Sequence, residues 1–296
     1  MVKIQLIIVY FGALPNWFDA FLLSCKYNTK INWLIFTDTK LPTAHPSNVQ
    51  FVPMSVKEFD LLASDKLKLK VAVQSPIKLC DFRPMYGVIF EKYNKGFDYW
   101  GHCDLDIIWG DIYKFIPNQY FEIFSTRENA LAGHFTIYKN TDKINTLYRK
   151  YTKSFASNLK CKNEGNHNYP QKIGWEEIIC SNIHCAFDER IIALYRQLDL
   201  RMELRWSYNF PSSVIKQRME FLRMSASHIS DLDGDWMWSK GKLFYHNHEI
   251  MYLHFMNRKQ VFENLFFNYE DNPNSFGINS AGVSSLENQV QDTFYK

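Results

Sequence analysis

Dense charge of one sign, a Cys-x-x-Cys pair and any long apolar stretch are missing from this chain, and each absence removes a class of protein. Disulfide scaffolds and structural zinc sites need cysteines at close, repeated spacing. The six here, Cys25, Cys80, Cys103, Cys161, Cys180 and Cys185, are scattered, so reduced, mostly buried thiols are expected. A bilayer span needs about 20 consecutive apolar residues, and no stretch approaches that length. Residues 1–10 are a short apolar run with one lysine, without the charged lead, longer apolar region or small-residue cleavage site of a signal peptide. The expectation is a cytoplasmic protein. A net charge of +3 over 296 residues is too mild for a nucleic-acid binder, which carries a denser basic patch. No internal repeat and no linker divides the chain into independent domains.

What is present is a globular composition rich in rings. A hydrophobic content of 46% is enough to bury a real core, and an aromatic content of 17% adds flat faces on which substrate rings can stack. Residues 4–10 read as a strand covered on both faces, and 15–25 as a helix with Pro15 where a first turn tolerates it. Strands are expected at 33–37, ending at Asp38, and at 49–53. Helical segments interrupted by Pro76 and Pro84 fill 56–90, before a strand leading into Asp104. Further strands are expected at 123–125 and 135–138, then a helix from Thr141, as its N-cap, to about 153. Residues 160–172 read as a polar loop and 176–187 as a helix. From 231 the pattern changes to a hairpin, 236–238 and 243–246, joined across Ser239-Lys240-Gly241, then an apolar strand at 250–255. The tail beyond Tyr269, rich in Asn and Ser, reads as extended or loosely docked. This alternation predicts an α/β protein: a mainly parallel sheet flanked by helices, with a small C-terminal hairpin and strand extension. Ligands of such sheets sit outside the carboxyl ends of the strands, where Tyr10, Phe11, Asp38, Asp104 and Asp106 all fall.

Asp104 and Asp106 form an Asp-x-Asp pair, an oxygen site for a hard cation. Mg²⁺ or Mn²⁺ keeps several waters and needs only one or two carboxylates beside substrate phosphates. The pair alone is a weak signal, equally that of a solvated loop after a strand. Its surroundings, Phe97, Tyr99, Trp100, Ile107, Ile108 and Trp109, are too apolar for such a loop. Asp106 is expected to face solvent as a ligand that contributes little to the core.

Three segments together resemble the GT-A glycosyltransferases, specifically a bacterial group of capsule and lipopolysaccharide sugar assembly. They are Lys78-Leu-Cys-Asp81-Phe-Arg83-Pro-Met-Tyr-Gly87, Asp98-Tyr-Trp-Gly-His-Cys-Asp104-Leu-Asp106 and Met251-Tyr-Leu-His254-Phe-Met-Asn-Arg258-Lys259. The resemblance implies a GT-A (Rossmann-like) catalytic domain over 1–269, with a nucleotide-sugar half at about 1–140, an acceptor half at about 141–269, and a polar tail at 270–296. It implies that Asp104 and Asp106 hold Mn²⁺ or Mg²⁺ against the diphosphate of a nucleotide sugar, most simply a UDP-sugar, and that His254 is a further metal ligand. Without the family pattern His254 reads as a strand-end or core histidine. Arg258 and Lys259 fall where a cation could close over the leaving diphosphate; by themselves they are a solvated basic pair. Lys78, Asp81 and Arg83 resemble the upstream donor-contacting segment, and read alone as an intrahelical ion-pair cluster of little energetic weight. Tyr10 and Phe11 could stack on the base and Asp38 accept from its imide or ribose, or either aromatic could be core.

The implied partners are a nucleotide sugar and a glycan or lipid-linked saccharide acceptor, in surface-polysaccharide synthesis, with no nucleic acid. Residues 216–224, basic among apolar side chains, could touch the inner face of the cell membrane or pack inward as a helix. An inverting transferase needs a carboxylate base near the acceptor, for which Glu177 and then Glu176, after Gly174-Trp175, are candidates; glutamates also simply suit a helix start. Two departures from better-known branches leave the stereochemistry open. Asp81-Phe-Arg83 is closer spaced than the Asp-x-x-Arg of toxin-like glucosyltransferases, and no Gly or Lys-Pro-Trp follows His254. Two rivals remain. One is a haloacid-dehalogenase-type phosphohydrolase, with Asp104 as nucleophile and the acids of 231–235 as a second cluster. The other is a non-catalytic carbohydrate-binding protein using the tryptophans.

Overall fold

A computed structural model describes residues 2–68, 71–73, 76–126, 131–149, 202–204, 236–245, 248–255, 259–279 and 281–286; at Ile77, Lys78, Asp81, 202–204 and His248 it describes the backbone only. Four strands, β1 (Ile4–Val9), β2 (Ile31–Thr37), β3 (Val49–Pro53) and β4 (Tyr99–Cys103), run parallel in the order β3-β2-β1-β4. After β5 (Ile107–Trp109), which leaves this sheet, β6 (Ile123–Ser125), β7 (Phe135–Lys139) and β8 (Met202–Leu204) extend it to seven strands, β3-β2-β1-β4-β7-β6-β8. β7 is antiparallel to both β4 and β6, and β8 is parallel to β6. The protein is therefore mixed α/β with a largely parallel central sheet, as the alternation of patterns predicted.

Both faces of the sheet are covered, which is why β1 is apolar throughout rather than alternating. Ile4, Leu6 and Ile8 pack on one side with Ile31, Trp33 and Ile35, while Ile7 packs on the other with Leu34, Phe36 and Trp100. The first face is covered by α1 (Phe18–Lys26), whose Phe18, Phe21, Leu22 and Cys25 meet the sheet while Ala20 and Leu23 meet a third apolar cluster beyond. The second is covered by α2 (Val56–Leu67), a 3-10 helix (Pro76–Met85), α3 (Tyr86–Ile89) and α4 (Glu91–Asn94). Pro84 stands inside the 3-10 segment, where the irregular backbone tolerates its missing N–H. α2 begins with a capping box in which Ser55 Oγ accepts from Glu58 N and Glu58 Oε2 accepts from Ser55 N. Gly101 is required at the centre of β4, since a Cβ there would lie 2.5 Å from the Thr136 carbonyl oxygen of β7.

Short helices α5 (Ile112–Phe115) and α6 (Asp142–Asn145) follow β5 and β7. Of the helix expected over 141–153, α6 is a single turn, residues beyond 149 lie outside the described ones, and the Thr141 side chain makes no cap hydrogen bond.

The expected hairpin forms from β9 (Trp236–Ser239) and β10 (Lys242–Tyr245), joined at Lys240 and Gly241. Both have positive φ, 45° and 82°, the signature of a type I′ turn. The single strand expected at 250–255 is instead two, β11 (His248–Ile250), which pairs with β10, and β12 (Tyr252–His254), which crosses to pair antiparallel with β5. The tail is also corrected. β13 (Ser275–Asn279) and β14 (Gly282–Ser285) complete a second sheet, β11-β10-β9-β13-β14, with Phe276 stacked on Trp238 at 5.0 Å and Ile278 buried. Asn and Ser dominate the composition there, but two apolar side chains at strand period are enough to dock it. The Trp238 indole donates to the Trp109 carbonyl, tying this sheet to β5. Among the described residues no helix is long and apolar enough to cross a membrane.

Candidate functional site

The chain leaves the sheet at the carboxyl end of β4 and turns through Asp104-Leu105-Asp106 into β5. Its backbone is held on both sides: Asp104 N donates to the His134 carbonyl at 3.1 Å, and Phe255 N donates to the Asp106 carbonyl at 3.1 Å. The β5–β12 pairing places His254 opposite Ile107, next to Asp106. Residues almost 150 positions apart thus meet across one antiparallel pair.

Asp104, Asp106 and His254 form a candidate divalent-metal site, each offering one ligand atom within 4.8 Å of the others. The division of labour among their oxygens supports it. Asp104 Oδ1 accepts from the Arg83 guanidinium, which also donates to the Gly133 carbonyl, and Asp106 Oδ2 lies 3.2 Å from Lys259 Nζ. The remaining oxygens turn to His254: Nε2 is 3.7 Å from Asp104 Oδ2 and 3.5 Å from Asp106 Oδ1. That nitrogen is buried and makes no hydrogen bond. A buried orphan polar atom is costly, and here it faces two carboxylate oxygens at a spacing an ion could bridge. With its proton on Nδ1, the imidazole would present a lone pair beside the two oxygens. Such a mixed N/O set suits Mn²⁺, and the carboxylates alone suit Mg²⁺.

Asp106 is buried, contrary to the solvent-facing position expected for it. Burial by itself would raise its pKa, but His254 and Lys259 outweigh that and hold the carboxyl below its ordinary value. Burial likewise works against the charge on Arg83, and Asp104 with neighbouring groups more than restores it, keeping the guanidinium firmly protonated. His102 on β4 is pushed well below the usual imidazole range by burial and then by Arg83. Arg83 and Lys259 thus each pair with one of the two carboxylates.

The other expected residues fall into three groups. Arg83 and Lys259 join the acid pair directly. Phe11 belongs to the core, edge-on to Phe59, while the Tyr10 hydroxyl donates to Ala13 O and Asp38 accepts from Gly12 N at 2.8 Å, bracing the loop after β1. Lys78 and Asp81 lie on the 3-10 helix with their side chains outside the described residues; Glu176, Glu177, Arg258, the 216–224 stretch and the 231–235 acids lie outside the described residues altogether. Residues that the sequence did not mark also line the site. His134 stacks on His254 with ring centres 4.1 Å apart, and its Nε2 is 2.6 Å from the Tyr252 hydroxyl, which donates to Thr126 Oγ1 at 2.6 Å. Only the placement of His134 beside Gly133 before an apolar strand could have drawn attention to it.

A family model matches residues 6–287, nearly the whole chain and all three segments of the metal cluster. The chain belongs to DUF6625, a family of unknown function. No curated protein matches this DUF6625 chain in sequence. Among solved structures it is similar to the apo-form glycosyltransferase GlyE of Streptococcus pneumoniae TIGR4, at 12% identity and a TM-score of 0.37, over 76% of this chain and 53% of that one. The chain thus spans about half the length of that protein.

Proposed function

We propose that this chain is a metal-dependent glycosyltransferase of the GT-A kind, moving a sugar from a nucleoside diphosphate sugar, a UDP-sugar in the first instance, to a glycan or lipid-linked saccharide acceptor. The observation that carries the reading is the convergence of Asp104 Oδ2, Asp106 Oδ1 and the unbonded His254 Nε2 at the carboxyl end of a strand in a largely parallel sheet. An Mn²⁺ or Mg²⁺ ion held there supplies Lewis-acid neutralisation of the charge on a departing diphosphate. Because Arg83 and Lys259 already balance the two acids, a lone divalent ion gains little net attraction, so the metal and the diphosphate are expected to bind together. Lys259, half exposed, is free to swing from Asp106 towards a phosphate; Arg83, clamped to Asp104 and Gly133, orients the acid and stays.

In the reaction the acceptor oxygen bonds to the anomeric carbon, and the bond from that carbon to the diphosphate oxygen breaks with its electron pair leaving on the diphosphate. The hydroxyl proton passes to a base, for which Glu177 or Glu176 is proposed. Lys78, Asp81, Arg258 and Tyr10 are proposed donor contacts, Phe11 and Asp38 serving the loop beside them. The proposed catalytic unit spans 1–269, with donor and acceptor halves dividing near 140, and surface-polysaccharide assembly at the inner membrane face is its proposed setting. Phosphohydrolase chemistry fits less well, since Arg83 occupies one oxygen of the would-be nucleophile Asp104.

Incubating the chain with a panel of nucleotide sugars and Mn²⁺ tests the proposal by release of nucleoside diphosphate. Release from one donor, lost in chelator and in Asp106→Asn, is expected. Undiminished release from either of those would end the metal reading. Hydrolysis of simple phosphate esters, or glycan affinity without any transfer, would favour the phosphohydrolase or the binding protein respectively.

A further inference from the structure

At the amino end of β4, about 16 Å along the strand from Asp104, the surface is concave and basic. A hollow of about 560 Å³ is walled by Tyr99, Tyr113, Asn118, Gln119, Tyr120 and Lys139, among others. A second, of about 210 Å³, is walled by Lys30, Asp111, Lys240 and Lys242, and Tyr113 belongs to both. The larger lies within the roughly 300–1,000 Å³ of ligand pockets.

The charges here are arranged differently from those of the metal site. Lys139 Nζ sits between two rings, 4.7 Å from the centre of Tyr99 and 5.1 Å from that of Tyr120, and Lys30 Nζ lies 4.4 Å over Tyr113. Among the described residues none of Lys30, Lys139, Lys240 and Lys242 has a carboxylate within ion-pair distance. The two acids in the walls are engaged by backbone N–H groups: Asp98 Oδ2 accepts from Lys3 N at 2.8 Å and Asp111 Oδ1 from Lys114 N at 3.3 Å. A tyrosine face steadies an ammonium without neutralising it, so the concavity keeps an excess of positive charge that draws anions. Tyrosine rings also offer flat apolar faces with a hydroxyl at the rim, and the Asn118 and Gln119 amides can both donate and accept.

We infer that these adjacent hollows bind an acidic saccharide chain lying across Tyr113, its rings against Tyr113 and Tyr120 and its anionic groups against Lys30, Lys139, Lys240 and Lys242. A bilayer is a poorer occupant, because membrane-docking surfaces project large apolar side chains, and among the described residues only Val2 and Tyr120 of the exposed ones stand here. The inference does not depend on sugar transfer or on metal.

Calorimetric titration of the full chain in chelator tests it, with an oligogalacturonate hexamer as probe beside neutral maltohexaose, tripolyphosphate and anionic phosphatidylglycerol vesicles. Binding of the hexamer that weakens as salt rises is expected. Exposed-site variants Tyr120→Ala and Lys240→Gln should each weaken it about three- to fivefold, the worth of one surface cation or ring contact, with thermal melting unchanged. Equal binding of maltohexaose would show that charge is irrelevant, and equal binding of tripolyphosphate that sugar is. Capture by vesicles without hexamer binding, or wild-type affinity in both variants, would likewise overturn the inference. Because no metal is present, these outcomes leave the Asp106→Asn experiment untouched.

Discussion

The two ends of β4 carry opposite solutions to the same electrostatic problem. At the carboxyl end, two carboxylates are matched by Arg83 and Lys259, and only the orphan His254 nitrogen and two carboxylate oxygens are left to receive something. At the amino end, lysines rest on tyrosine rings and are matched by no carboxylate among the described residues. The first arrangement leaves a candidate position for a cation, with Arg83 clamped and Lys259 on a half-exposed stem. The second leaves net charge at the surface, where water screens it. The contrast teaches that counting charged residues says little; what matters is which atoms of each group are already in use.

Substitutions can break or sharpen that contrast. The largest effect is expected from Asp106→Asn, which keeps size and removes the charge of a metal-facing oxygen: transfer should fall about 10²–10³-fold in a donor-turnover assay, and Mn²⁺ binding in the presence of UDP should weaken in parallel. Asp104→Ala should add a folding penalty that Asp106→Ala does not. It strands the nearly buried Arg83 and should lower unfolding free energy by about 3 kcal/mol in urea titration, whereas Asp106→Ala releases a half-exposed Lys259 to water. Equal stability of the two alanine variants would contradict the clamping role of Arg83. Tyr252→Phe removes the hydroxyl between His134 and Thr126 and should lower stability by about 1–2 kcal/mol, again read by urea titration. The smallest effect belongs to the other end: Lys139→Gln should lower stability by about 0.5–1 kcal/mol in urea titration, the worth of its ring contacts, since it has no ion pair among the described residues.

Much of the frame was legible. The continuous apolar runs at β1 and β2 and the Lys240-Gly241 turn are local signals, and each produced its element. The Asp-x-Asp pair was legible as residues with a chemistry. The burial of Asp106 was not, since exposure of a loop depends on what folds over it, and the crossing of β12 onto β5 does that here. β13 was missed because Asn and Ser around it dilute a strand of only five residues. Phe11 and Asp38 stood at a strand end as expected, yet one went to the core and the other to a backbone N–H, because a strand end offers both options and only packing selects between them.

The chain by itself dictated an α/β sheet covered on both sides and two acids at the end of one of its strands, because hydrophobic period and strand-end position are properties of short stretches. Only the three-dimensional arrangement could bring His254 and Lys259 to those acids, assign Arg83 to Asp104, place His134 against His254 and leave four lysines with no carboxylate among the described residues. Those relations join residues from some 20 to about 150 positions apart, and nothing in the local periodicity of a sequence encodes which distant side chain will fill the remaining valence of a buried polar atom.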